Sequence, residues 1–125
     1  MAIKLLIDTD PGSDDAMAIL YTALAPDIDL VGLTTVYGNV PVGIATRNAL
    51  RLAEMAGLDI PVAEGAARPL LCAPGLPPDF IHGTEGFGTV PPATPTRRAV
   101  SETAAELMYQ LAREHRGELV VCAIG

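Results

Sequence analysis

Asp8, Asp10, Asp14 and Asp15 place four carboxylates within eight residues, between an apolar run (residues 3–7) and an apolar stretch that opens at Ala16. Two ionised carboxylates about 4 Å apart repel by roughly 4 kcal/mol at a surface-like effective dielectric. Such a cluster calls for a cation, a shared proton or a chemical task. Asp14 and Asp15 alone could complement a helix dipole, but that leaves Asp8 and Asp10, at the end of an apolar strand, without a reason. A metal site at a strand-to-helix turn accounts for all four. With only oxygen ligands on offer, Ca²⁺ or Mg²⁺ is favoured over zinc.

The elements that must position this turn follow from hydropathy patterning. Short apolar runs alternate with segments of helical period, which predicts an α/β fold with a parallel sheet of β-α-β units. Strands are expected at residues 3–7, 30–34, 60–63 and 119–124, the last buried on both faces. Helices are expected at 14–25, with Ser13 as cap and Pro26 as stop, and at 42–56, with Gly57 behind it. A final helix should start from a Ser101 cap, bury Ala104, Leu107, Met108 and Leu111, and end before Gly117. Residues 65–96 are rich in Pro and Gly and show little regular pattern, a length unusual for an idle connection. Because parallel strands end on one side of the sheet, residues 8–15, 34–39, the loop after Ala63, and Ile124 should converge there.

Composition narrows the partners. The 125 residues are half apolar and carry a net charge of −7, with nine acids against three bases in residues 1–65 and six against five afterwards. Clustered Lys and Arg for a phosphate backbone are missing, so nucleic acid is not an expected partner. No run approaches a membrane span and no charged leader precedes an apolar segment, so a cytoplasmic protein without membrane contact is expected. Cys122 reads as a buried small side chain and Cys72 as a loop residue, too few for a disulfide framework.

Residues 8–16 (DTDPGSDDA) and 34–40 (TTVYGNV) resemble the inosine-uridine-preferring nucleoside hydrolases. Residues 82–88 (HGTEGFG) and 122–125 (CAIG) are similar to two further segments of that family. The resemblance implies a Rossmann-like nucleoside hydrolase fold and Ca²⁺-dependent hydrolysis of ribonucleosides to ribose and free base. It also implies that Asp10 ligates Ca²⁺ and serves as general base towards the attacking water, that Asp15 and the main-chain oxygen of Ile124 are further metal ligands, and that Asp8 supports the turn. Asp14 and Asn39 would hold the ribose, and His82 would lie on the base side. Without the resemblance, Asn39 after Gly38 reads nearly as well as a plain turn residue, and His82 reads as a surface loop histidine.

The family domain is about twice as long as this chain, in the range of a single large α/β domain. Its further metal-binding Asp, ribose-gripping Asn and Glu, and base-protonating His do not map onto these residues. The chain is therefore expected to be the N-terminal portion of such a domain, with weak or absent hydrolase activity alone, and to form a homo-oligomer. Two other readings compete. A haloacid-dehalogenase-like phosphatase would use Asp8 and Asp10 as nucleophile and acid/base, although Gly12 stands where that family wants Thr or Val. A non-catalytic module would self-associate through exposed apolar surface.

Overall fold

The computed structural model describes residues 1–125. The chain runs β1 (Ile3–Thr9), α1 (Ser13–Leu24), β2 (Ile28–Thr35), α2 (Val42–Met55), β3 (Val62–Glu64), α3 (Asp79–His82), α4 (Ala104–Glu114) and β4 (Leu119–Ala123). The four strands form one parallel sheet in the order β3-β2-β1-β4. Strand order therefore reverses at β1, with β2 on one side and β4 on the other. In open parallel sheets the crevice at such a reversal, beyond the strands' carboxyl ends, is where ligands bind.

Side-chain alternation along β1 feeds two cores. Leu5 and Ile7 pack with Ile19 of α1 and with Ala49, Leu52 and Ala53 of α2 on one face. Leu6 points to the other, where it meets Ala63 and Leu107 and Leu111 of α4. Leu30 and Leu33 share the first core although a regular strand would send residues three apart to opposite faces. A register shift between Leu5 and Leu6 opposite β2 resolves this, since Leu5 pairs with Leu30 but Leu6 with Gly32.

Four sequence expectations need correction. The residue capping α1 is Gly12, not Ser13, and no side chain closes that end. The cap of α4 is Thr103, not Ser101, because a Thr103–Glu106 capping box satisfies the first turn from both ends. The last strand is not buried on both faces: β4 pairs only with β1, at the sheet's edge, and Val120 and Val121 are about half exposed. Cys122 on that strand is exposed for the same reason. Gly57 and Gly117 do close their helices, in left-handed conformations with φ of 66° and 77°. Within the long Pro/Gly-rich stretch the one helix is the single turn α3. No helix is long and apolar enough to cross a membrane.

Candidate functional site

The acidic turn leaves β1 at its carboxyl end and enters α1 three residues later. Pro11 and Gly12 are both buried here, and the turn is compact enough to carry Asp10 and Asp15 inward, 7% and 5% exposed. Burying two carboxylates without a compensating cation or hydrogen bonds costs several kcal/mol, on the order of the penalties measured for unpaired charges. The chain supplies part of the compensation. Thr9 Oγ1 donates to Asp15 Oδ2 at 2.5 Å and the Asp10 main-chain N–H donates to the same oxygen at 3.2 Å. The Asn39 N–H donates to Asp10 Oδ2 at 2.6 Å, and the Asn39 side-chain amide reaches the Asp10 carbonyl at 3.4 Å.

These contacts use Oδ2 of each carboxylate, and Oδ1 of each receives no hydrogen bond from the protein. Burial pushes the Asp15 carboxyl above its ordinary range, opposed by the Thr9 hydroxyl and reinforced by the charges of Asp10 and Asp14. Gly38 makes the approach of the Asn39 loop feasible, because a Cβ there would fall directly on Asp10 Oδ2.

Asp8 stands apart from this pair. Its Oδ1 accepts the Thr34 hydroxyl at 2.6 Å, and its carbonyl accepts the N–H groups of Ile124 (2.9 Å) and Gly125 (3.1 Å). It therefore staples β2 and the end of β4 to β1. Gly125 also abuts the Asp10 main-chain nitrogen, so Ile124, just past the end of β4, lies beside the acidic turn.

Asp14 turns outward, its side chain 73% exposed and its Oδ1 3.6 Å from His82 Nε2. His82 is no free surface histidine. Only 14% of its side chain is exposed, and Nδ1 lies 2.9 Å from Ser13 Oγ and 3.4 Å from the Ser13 nitrogen. The ring packs against Gly12, where a Cβ would come within 2.9 Å of it. Asp10, Asp15, Asn39 and the end of β4 thus gather at the strand ends, while Asp14 and His82 pair on the outer side of the same turn.

No three His, Cys, Asp or Glu side chains stand together as a ready metal cage. A cation at this turn would rest on the Asp10 and Asp15 carboxylates and on main-chain oxygens. That donor set fits a hard divalent ion: all oxygen, two buried charges, and one Oδ1 on each without a protein partner. Beside it, a cavity of about 320 Å³ is lined by Asn39, Pro41, Ile44, Leu76, Asp79 and Thr84, within the volume range of small-molecule sites.

No sequence pattern marks Thr9, Thr34 or Gly38 for the parts they play here. Asn48 offered a signal, since it lies on the helical face defined by Ala45, Ala49 and Leu52, an amide among core positions. It is fully buried.

Fold and geometry together define an α/β protein with a buried pair of carboxylates at the reversal point of a parallel sheet. The sequence model of the inosine-uridine preferring nucleoside hydrolases matches residues 5–125, and the chain belongs to that family. It is 48% identical over 125 residues to uridine nucleosidase 1 of Arabidopsis thaliana, covering 98% of this chain and 37% of that relative. Among solved structures, a plant nucleoside hydrolase superposes with a TM-score of 0.91 at 42% identity, covering all of this chain and 40% of its own. A purine-preferring ribonucleoside hydrolase from Gardnerella vaginalis gives 0.92 at 31% identity, covering 98% of this chain and 40% of its own. The chain therefore spans about two fifths of the length of the relatives it matches.

Proposed function

We propose that this turn serves Ca²⁺-dependent hydrolysis of the N-glycosidic bond of ribonucleosides, giving ribose and free base. The observation that carries the reading is the buried pair Asp10 and Asp15, held in the family's own acidic motif with one oxygen of each left open. Membership of the nucleoside hydrolase family supports ribonucleosides as the substrate class. Release of free base suits a role in nucleoside salvage, and self-association into a homo-oligomer belongs to the same reading.

The reaction adds water across the bond between C1′ of ribose and the base nitrogen. Asp10 would take a proton from the attacking water, which requires only hydrogen-bond reach. The Asn39 N–H on its Oδ2 fixes the direction of the carboxylate, leaving Oδ1 for this work. Asp15, oriented by Thr9 and by the Asp10 N–H, adds negative charge next to a sugar that becomes oxocarbenium-like as the base departs. On this reading Asp14 at the start of α1 and Asn39 after β2 would offer groups for the ribose hydroxyls, and His82 would lie towards the base. Asp10, Asp15 and the Ile124 carbonyl would hold the Ca²⁺, which would make the attacking water easier to deprotonate and give the sugar hydroxyls an anchor.

Calorimetric titration of the 125-residue chain with Ca²⁺ tests the reading. Saturable binding that is lost in both Asp10→Ala and Asp15→Asn is expected. Binding untouched by either substitution, or no binding at all, would sink it.

A further inference from the structure

The segment carrying His82 has almost no regular structure and touches the acidic turn directly through the His82 ring, at Gly12, Ser13 and Asp14. Asn48 of α2 adds a fastening from outside both. Its buried Nδ2 donates to the Glu85 carbonyl at 2.8 Å and to the Pro11 carbonyl at 3.4 Å. One amide therefore touches the backbone of the turn between Asp10 and Asp14 and the backbone of the segment three residues after His82. Its Oδ1 is held in turn by Arg47 Nη2 at 3.2 Å.

Neighbouring contacts reinforce the same junction. Arg47 pairs with the Glu85 carboxylate at 2.6 Å, and Arg51, one turn further along α2, lies over the Phe87 ring at 5.9 Å. Gly86 completes it in a left-handed conformation, φ 87°, where a Cβ would come within 2.8 Å of both Asn48 Nδ2 and the Pro11 carbonyl. The segment closes on itself through Gly86 N–H to Gly83 O (3.2 Å) and Gly88 N–H to His82 O (2.7 Å).

We infer that Asn48 is a positioning residue that sets the placement of His82 and Asp14 against Asp10 by fastening the 82–88 segment to the acidic turn. The inference rests on the nucleosidase reading for its functional consequence, and on geometry alone for the fastening. Removing this buried amide takes its donor from both carbonyls at once, and the segment has no strand or long helix to hold it in place.

Two measurements on Asn48→Ala decide the matter. In hydrogen exchange read by mass spectrometry, amides of residues 82–88 should exchange about tenfold faster while those of β1 and β2 keep their rates. In calorimetry with a C-nucleoside, whose glycosidic bond cannot be hydrolysed, the dissociation constant should rise about tenfold at unchanged stoichiometry. Partial unfolding alone would lower the stoichiometry and leave the constant where it was, and that result overturns the inference. So does unchanged exchange at 82–88. If Asn48→Ala does not fold, Gly86→Ala disturbs the same junction from the other side and is expected to reproduce both shifts. Should the parent chain bind no C-nucleoside, the nucleosidase reading fails, while the exchange comparison still decides whether Asn48 fastens the segment.

Discussion

Two helices of this chain begin with an acid at the same third position, Asp15 in α1 and Glu106 in α4, and the two acids do opposite things. Glu106 Oε2 accepts the N–H and hydroxyl of Thr103 at 2.8 and 2.9 Å, and Thr103 Oγ1 accepts the Glu106 N–H at 3.3 Å. These hydrogen bonds hold its carboxyl below the ordinary glutamate range. Asp15 does not serve its own helix. Its carboxylate reaches across to Thr9 and Asp10 at the end of β1, the helix start is left to Gly12 without a side-chain cap, and burial pushes its pKa up. A helix start that spends its acid elsewhere is stabilised less than it could be, a local cost of the kind found at functional sites.

The sharpest way to break the contrast is Asp10→Ala. Whatever ribose release the protein supports should fall about a hundredfold to ten-thousandfold, the contribution of a general base, while circular dichroism stays unchanged. Thr9→Val removes the hydroxyl that orients Asp15 and should weaken Ca²⁺ binding about tenfold to a hundredfold in calorimetry, as loss of a partner behind a metal ligand does. At the other helix start, Thr103→Ala should cost about 1 kcal/mol in urea denaturation and leave the Ca²⁺ constant alone.

The smallest effects lie in the pH dependence of metal-free stability, and their signs differ. Glu106, with its folded pKa lowered, contributes stability that is present above its ordinary value of 4.5 and lost as pH falls through the folded value. Asp15, with its folded pKa raised, contributes a decline in stability as pH rises from its ordinary value of 3.8 through the folded value. Thermal melts between pH 3 and 7 should show Glu106→Gln flattening the acid limb and Asp15→Asn removing the decline at higher pH. Slopes of the same sign in both variants would dissolve the distinction between the two starts.

Much of this architecture was legible in the sequence because hydrophobic periodicity reports it directly. The apolar runs around Ile3 to Ile7 and Leu30 to Thr34 became β1 and β2, and the Ala45–Ala49–Leu52 face became the core side of α2. Caps were harder, since Ser101 and Thr103 offer the same chemistry and only the reach of Glu106 selects one. The exposure of Val120, Val121 and Cys122 was misread because apolar content marks a strand's affinity for burial and not its neighbours. Asn48 escaped because its two acceptors lie 37 residues away on either side. Helical spacing places it on a buried face, and no local pattern says what it would bond there.

Gly38 gives the last consequence. What this position contributes is empty volume: the proposed site includes the space that a methyl group would take from Asp10 Oδ2. An added carbon there would leave every charge and every ligand of the proposed site intact in the sequence and still push the Asp10 carboxylate from its seat.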